Sequence, residues 1–255
     1  MIHPPAFPIT QEISVTTASR STLLGHPWLA AALLGLASTP ALALKPFTAN
    51  YTAHYMGLQA NGVMRLDKQG ERQWTYSLAI NNPAANLVQR TTFEEHGGQW
   101  RPLSGEDSSQ VLIKRRNTTA TFDWSKGEAR WSGDVKDDRK GPIALHPGDM
   151  DAMLINLAIV RDVPGGKPLN YRMVENGKVS PQTWRVEGKE AIEVGGTSHQ
   201  ATKVSRTSGD KQMILWVVDS LPAPARVLQR KDGKDEMDLR LESVRLAIVE
   251  YGLAW

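Results

Sequence analysis

The sequence predicts a mainly β protein in which a strongly curved antiparallel sheet, or an open β-barrel, packs one central helix on its concave side. Three observations lead to this prediction. Apolar and polar residues alternate over many short segments, turns rich in glycine, asparagine and proline separate those segments, and a single stretch shows helical spacing. Because the turns are short, we expect neighbouring strands to pair as antiparallel hairpins.

The first strands show the alternation most clearly. Residues 47–55 place Phe, Ala and Tyr side chains on one side of an extended chain and Thr, Asn and His side chains on the other, which predicts a half-buried strand. A returning strand follows Asn61-Gly62, and a third strand spans residues 74–80. The further predicted strands are 87–94, 99–103, 108–116, 118–124, 128–135, 169–174, 181–187, 190–194, 201–206, 212–218, 225–230 and 236–244.

One segment has the spacing of a helix instead. From Met150 to Val163, apolar residues recur every three or four positions. Pro147-Gly148 and Asp149, the expected N-cap, precede this segment, and Pro164 with two following glycines ends it. Because apolar side chains cover most of its surface, we expect the helix to be buried against the sheet.

The N-terminal segment predicts export. Residues 28–37 form an apolar run that is too short to span a membrane and has the length of a signal-peptide core. Small residues at Ala41 and Ala43 form a signal-peptidase pattern, so we expect cleavage after Ala43. A buried or amphipathic first helix is the alternative. The sequence thus predicts a signal peptide of residues 1–43 and a single exported β domain of residues 44–255, periplasmic and without a transmembrane segment in the mature chain.

The composition excludes several classes of partner. The net charge is +3, and basic residues are interleaved with acidic ones, whereas a nucleic-acid surface needs one-sided basic clustering. We therefore expect no nucleic-acid partner. The densest basic cluster is Lys114-Arg115-Arg116, which is expected at a hairpin end. The chain has no cysteine, which excludes disulfides and thiolate metal sites.

Three segments together resemble a known bacterial exported family. They are the opening Phe47-Thr48-Ala49-Asn50-Tyr51, the helical residues 151–161, and residues 213–219 followed by Pro224-Ala225-Arg226. In this order they are similar to the family known as domain of unknown function 3108, over nearly the whole predicted mature chain. The resemblance implies a location in the cell envelope and a mostly β fold, and it supplies no catalytic residues.

Signatures of common enzyme classes do not occur in the sequence. It has no Gly-x-Ser-x-Gly nucleophile elbow, no His-Glu-x-x-His zinc motif and no dinucleotide or phosphate-binding glycine loop. The tightest histidine and carboxylate cluster is His146 with Asp149 and Asp151. These residues precede the predicted helix, where aspartate caps the backbone, so capping is favoured over a metal site or an acid/base pair. We expect no cofactor, no metal site and no catalytic residue from sequence.

Adjacent carboxylates are weaker candidates for catalytic residues. Glu94 with Glu95 and Glu106 with Asp107 are the adjacent pairs considered for glycoside hydrolysis. Neighbours on a strand point to opposite faces, so neither pair can flank one bond. Carboxylates from separate strands could still meet in the folded chain.

Aromatic residues on several strands are the candidate ligand-binding residues. Three interpretations are open. The aromatic residues fill the core, they line a cavity that holds an acyl chain, or they form a sugar-binding strip on the surface. The candidates are Tyr51, Tyr55, Trp74, Tyr76, Phe122, Trp124 and Trp216.

The leading functional hypothesis is therefore a periplasmic β protein that binds a lipid or another apolar or amphiphilic envelope ligand and has no catalytic role. Two alternatives stay open. One is an envelope hydrolase or lyase that uses carboxylates from separate strands. The other is an envelope scaffold or assembly factor whose exposed sheet edge pairs with another protein.

Overall fold

The computed structural model describes residues 44–55 and 57–247 of the chain. These residues belong to one compact unit, Leu42–Trp255. The predicted signal peptide, with its cleavage site after Ala43, lies outside the described residues. Among the residues described, no helix combines the length and the apolar character needed to cross a membrane.

Sixteen strands and one α-helix make up the described part of the chain, with a short 3-10 turn at Asp137–Arg139. The strands are β1 (Phe47–Tyr55), β2 (Leu58–Lys68), β3 (Gln73–Asn82), β4 (Ala85–His96), β5 (Gln99–Val111), β6 (Lys114–Asp123), β7 (Glu128–Gly133), β8 (Ile143–Ala144), β9 (Asp149–Met150), β10 (Asn170–Glu175), β11 (Lys178–Thr183), β12 (Arg185–Val194), β13 (Thr197–Ser208), β14 (Lys211–Val217), β15 (Arg226–Lys231) and β16 (Lys234–Leu246); the helix is α1 (Ala152–Asp162).

The described strands form two sheets. Thirteen of them make one antiparallel sheet in the order β12-β13-β14-β15-β16-β1-β2-β3-β4-β5-β6-β7-β8, and β11-β10-β9 form the second. The mainly β class, the antiparallel pairing and the helix are confirmed. The large sheet forms no closed barrel and is not strongly curled, so it bends less than expected. Alternation reveals which side chains are buried, and it carries no information about the angle between neighbouring strands.

Helix α1 begins two residues later than expected. Its N-cap is Asp151, whose carboxylate accepts a hydrogen bond of 2.8 Å from the Leu154 N–H. The predicted cap, Asp149, lies in β9 and accepts from the His146 N–H, so its side chain closes the preceding turn. Eight of the eleven helical residues are buried, which confirms a helix covered on most of its surface.

The helix packs on β10, β4 and β3, and the side chains at its two ends reach β5. A Cβ atom at Gly105 would lie 3.7 Å from Asp151 Oδ2, at the start of the helix. Near its end, the guanidinium of Arg161 lies 4.1 Å from the ring centroid of Trp100. Ten helical steps and five strand steps both span about 15 Å, so the two contacts are geometrically consistent. The helix therefore has one end at the middle of β5 and the other at its beginning.

The hairpin between β5 and β6 differs from the prediction. We expected a turn at Gly105 and one strand over residues 108–116. Instead, β5 runs through Gly105 to Val111, and the turn consists of Leu112 and Ile113. The turn was not predicted because two adjacent large apolar residues are typical of a strand interior. Gly105 is not a turn residue; it lies within β5 where Ala120 and Asp151 approach the strand closely.

Side chains from both halves of the large sheet form the main core against α1. This cluster includes Phe47, Tyr76 and Phe93 from the sheet, with Leu154 and Ile159 from the helix. Two smaller clusters lie elsewhere. One centres on β14, and the other lies between β6, β7 and β10. Residues 214–217 are all buried because neighbouring positions of β14 face different clusters.

Candidate functional site

Two depressions of different chemistry lie at the two ends of α1. At its C-terminal end is an apolar groove of about 280 Å³. The lining residues of this apolar groove are Leu44, Lys45, Phe47, Leu66, Trp100, Leu157, Val160, Arg161, Pro164, Asp219, Ser220, Leu221, Pro222 and Leu246. The walls thus come from β1, β2, β5, the helix and the segment that follows β14. Apolar side chains dominate the lining, which is typical of sites for hydrocarbon.

Charged groups stand at the rim of the apolar groove. Arg161 stacks over Trp100 at 4.1 Å and donates from Nε and Nη2 to Asp162 at 2.7 and 2.8 Å. The two N–H groups on Nη1 take no part in this ion pair. Lys45 is exposed, and Asp219 carries the opposite charge at the rim. An apolar interior with charged groups at its mouth matches the two parts of an amphiphile.

At the N-terminal end of α1 lies a polar cleft of about 340 Å³, the carboxylate cleft. Its acidic residues come from three separate elements. They are Glu106 and Asp107 on β5, Asp151 at the helix N-cap, and Glu175 at the end of β10. The other lining residues are Gln89, Arg90, Thr91, Gly105, Thr118, Ala120, Phe122, Trp131, Ala152, Met153, Asn176, Lys211 and Gln229.

Two of these carboxyl groups accept hydrogen bonds from the first N–H groups of the helix. Asp151 accepts from the Leu154 N–H and from the Thr91 hydroxyl. Glu175 accepts from the Ala152 N–H at 3.1 Å. The first helical N–H groups have no partner within the helix and carry the positive end of its dipole, so two acceptors there stabilise the helix. The pair has a structural role whatever else it does.

Burial also makes both carboxyls weak acids. It raises the pKa of Asp151 to about 6, although the hydrogen bonds from Thr91 and Leu154 lower it. Burial raises the pKa of Glu175, and repulsion by the like charge of the Asp151 carboxylate adds to this effect, so that together they bring the pKa to about 8. Asp107 acts on Glu175 in the same direction. The cleft therefore contains a carboxyl that holds its proton near neutral pH.

The seven predicted aromatic residues lie in three clusters. Tyr51, Trp74 and Tyr76 are buried in the main core, with half-buried Tyr55 packed against it. The Tyr51 hydroxyl donates to the Pro224 carbonyl at 2.8 Å.

The other three candidates lie elsewhere. Phe122 and Trp124 belong to the cluster between β6, β7 and β10, and Trp216 to the cluster centred on β14. Of the seven, Phe122 lines the carboxylate cleft, and among the residues described none lines the apolar groove. The structure thus brings four together within the core and separates them from the other three.

The histidine and carboxylate candidates from the sequence do not form the sites that were considered for them. His146 is exposed, and within residues 44–55 and 57–247 no group of three or more histidine and carboxylate side chains could hold a metal. Glu106 lies 3.4 Å from Arg90, whereas Asp107 accepts from Gln89, so neighbouring carboxylates on β5 face different partners. Carboxylates from separate elements do meet, as Asp151 and Glu175 show.

In the scaffold alternative, an exposed edge of the large sheet would pair with another protein. Within the described chain its edge strands are β8, of two residues, and β12, of ten. Most side chains of β12 are exposed and several are charged, among them Arg185, Lys189 and Glu193. Charged side chains on an edge strand disfavour pairing with another chain. A scaffold role at this edge stays a prediction.

Sequence patterns pointed to Asp151, Glu106 and Asp107 but missed Arg161, Trp100 and Glu175. In the sequence, Arg161 is a polar residue near the end of a helix, Trp100 is one of many aromatic residues, and Glu175 follows a predicted strand. They meet their partners only because the ends of α1 reach β5 and because β10 returns to the helix N-terminus. The one local signal was the aspartate at the helix start, which predicts a cap and thereby a cluster of acceptors.

Comparison with known proteins gives a family match. A family model described as "Protein of unknown function (DUF3108)" matches residues 50–240, from within β1 to within β16. No curated protein matches the chain. Because the match covers well over half of the sequence and includes the helix and both sheets, the chain belongs to the DUF3108 family.

Proposed function

We propose that this protein works in the periplasm, after removal of residues 1–43, and binds an amphiphile without catalysing a reaction. One hydrocarbon chain lies in the apolar groove, and the polar head lies at the rim. The observation that carries the proposal is the groove itself. It is open and mainly apolar, and it lies between the helix and the sheet with charged groups at its mouth.

The size of the groove limits the ligand. Its volume of about 280 Å³ is near the lower end of small-molecule sites, which occupy about 300–1,000 Å³. Such a groove accommodates one short apolar chain rather than a complete two-chain lipid. Burying that chain against Phe47, Leu157 and Val160 provides about 25 cal/mol for each Å² of apolar surface removed from water.

The rim favours a head group that accepts hydrogen bonds. Lys45 and the Nη1 group of Arg161 are donors without acceptor capacity, so a carboxylate or phosphate fits them better than an ammonium group. Asp162 holds the guanidinium over Trp100 and orients it. The proposed ligand class is thus a single-chain anionic amphiphile.

A fluorescent fatty acid measures this binding directly. The compact unit, residues 42–255, is titrated with the probe, and binding is compared with that of Leu221→Trp, which fills the apolar groove from its half-buried rim. We expect affinity to fall about tenfold or more. Leu58→Trp is the matched control, because Leu58 is 38% exposed and lies away from the groove.

Two further measurements separate this ligand from other occupants. Lys45→Gln should weaken binding of the fatty acid and leave a neutral alcohol of the same chain length unaffected. A chain that ends at Ala247 tests whether residues 248–255, which follow the rim residue Leu246, fill the groove themselves. Binding only after this truncation, or equal binding by Leu221→Trp, contradicts the proposal.

The carboxylate cleft supports a second candidate, an envelope hydrolase acting on a polar substrate. The specific observation is that Glu175 keeps its proton near neutral pH beside the carboxyl of Asp151, since a general acid and a second carboxylate are the groups that glycoside hydrolysis requires. Aromatic Phe122 and Trp131 line the same cleft.

A panel of nitrophenyl glycosides tests this second candidate. Hydrolysis that is lost in Glu175→Gln and kept in Glu106→Gln, which changes another carboxylate of the same cleft, supports it. Absence of hydrolysis by the wild-type protein across pH 5 to 8 leaves the helix-capping role as the function of the pair.

A further inference from the structure

The tip of the β5–β6 hairpin exposes two adjacent large apolar side chains. Leu112 is 69% exposed and Ile113 is 98% exposed. They are the two turn residues of the hairpin, because Val111 pairs directly with Lys114. Isolated apolar residues are common on protein surfaces, whereas two at the end of a hairpin form a small apolar projection.

The backbone of this turn shows that stability does not explain the apolar residues. Leu112 has a φ of 54°, a left-handed conformation that favours glycine, asparagine or aspartate in two-residue hairpin turns. A bulky residue costs about 1 kcal/mol or more there. The chain thus carries a leucine where the fold alone favours a small or polar residue.

Three basic residues follow the tip. Lys114, Arg115 and Arg116 are exposed on the part of β6 that precedes its pairing with β7, which begins at Thr118. Basic side chains on a free strand segment prevent pairing with other chains, and this explains their charge. It leaves the two apolar residues beside them unexplained.

We propose that this hairpin tip docks the protein on an anionic lipid surface. Leu112 and Ile113 enter the headgroup region, and the three basic side chains contact lipid phosphates beside them. Apolar side chains next to basic ones are the chemistry that recognises an anionic membrane interface. Eleven strand residues, roughly 35 Å, separate the tip from Trp100 in the apolar groove, so docking needs no ligand there.

Vesicle co-sedimentation tests the proposal with residues 42–255, the compact unit. We expect binding to phosphatidylcholine vesicles that contain phosphatidylglycerol, a marked loss of binding at high salt, and little binding to phosphatidylcholine alone. Only the first of the two turn residues, Leu112, has a positive φ, so Leu112→Gly/Ile113→Asn gives the turn the residues that this geometry favours, and the fold is kept while the apolar tip is removed. Its partition coefficient should fall about tenfold or more.

Charge replacement provides the second arm. Lys114→Gln/Arg115→Gln/Arg116→Gln should lower the partition coefficient about a hundredfold, since each basic residue near an anionic surface contributes about fivefold. Val186→Ser, at a 63% exposed apolar site, and Lys231→Gln/Lys234→Gln, at another hairpin end, are matched controls and should bind as wild type.

Two outcomes overturn the proposal. One is undiminished vesicle binding by Leu112→Gly/Ile113→Asn. The other is a concentration-dependent dimer in sedimentation velocity that this variant loses, without vesicle binding by the wild type, which assigns the tip to protein contact. Leu221→Trp binds vesicles normally under this proposal, so failure of the apolar groove and failure of the tip give different results.

Discussion

At the scale of single residues, two buried carboxyl groups determine how the free energy of unfolding depends on pH. Glu175 and Asp151 lie together at the start of α1, with Asp107, Arg90 and Lys211 lining the same cleft. Burial raises the pKa of both carboxyls, so the folded chain binds protons more tightly than the unfolded chain. Linkage then requires the free energy of unfolding to fall as pH rises through this range.

We predict that the free energy of unfolding falls between about pH 4 and pH 8, by at most about 1.4 kcal/mol per pH unit for each group. Glu175→Gln keeps an acceptor for the Ala152 N–H and removes the titration of Glu175, so the decline in its free energy of unfolding should level off about one pH unit above the Asp151 pKa of about 6, where Asp151 is mostly ionised. Urea unfolding at several pH values measures both curves. Identical curves for the two proteins contradict the account.

A second residue-scale prediction concerns the ion pair between β15 and β16. Arg226 donates twice to the buried Asp238, at 2.7 and 2.8 Å, and stacks over Trp216. Removing one partner of a buried pair leaves a charge uncompensated. Because Arg240 also contacts Asp238, Arg226→Met should destabilise by about 2 kcal/mol in chemical unfolding.

The same two strands offer a matched control for this ion pair. Arg230 and Asp235 form a more exposed pair, with 38% and 50% of their side chains accessible. Arg230→Met should cost less than about 1 kcal/mol. Equal losses for Arg226→Met and Arg230→Met would show that burial does not set the difference.

At the scale of elements, the helix and the β5–β6 hairpin show what local pattern can and cannot predict. Alternation and helical spacing predicted α1 and most of the strands to within a few residues, because each depends on which side chains are buried. The predicted strand 181–187 instead covers the end of β11 and the start of β12. The Leu112–Ile113 turn was missed because it lacks the glycine or asparagine that marks turns. The two sites were missed because Arg161 and Glu175 acquire partners only through packing.

The cap of α1 gives an element-scale prediction. Asp151→Ala removes the acceptor for the Leu154 N–H and the partner of Thr91, so it should destabilise by about 1–2 kcal/mol. Asp151→Asn keeps an acceptor at the N-cap and should cost less than half as much. Thermal unfolding compares the two variants, and an equally large loss for both would show that the cap is not the cause.

The hairpin gives a prediction of opposite sign. Leu112→Gly removes a side chain from a left-handed position, so the free energy of unfolding should rise by about 1 kcal/mol. Gly57, which has a φ of 80°, lies in the connection of β1 and β2, and Gly57→Ala should lower the free energy of unfolding by a similar amount. A loss of stability in Leu112→Gly contradicts the strain inferred for the turn.

At the scale of the whole molecule, one helix on a broad open sheet creates two sites of opposite character. At its N-terminal end, carboxyl groups accept from N–H groups that have no partner within the helix. At its C-terminal end, an apolar groove lies beside Trp100 and Arg161. The hairpin tip lies at the far end of β5 from that groove. The proposed ligand site and the proposed docking site thus lie on different parts of one fold.

The central claim is that the apolar groove binds an amphiphile in the cell envelope. Mass spectrometry of organic extracts from protein purified without detergent measures this most directly. We predict a single-chain anionic amphiphile in roughly stoichiometric amount with the wild-type protein and with Leu58→Trp, and its loss from Leu221→Trp. Absence of any such molecule from the wild-type protein, together with no displacement of a bound fluorescent fatty acid, would contradict the claim.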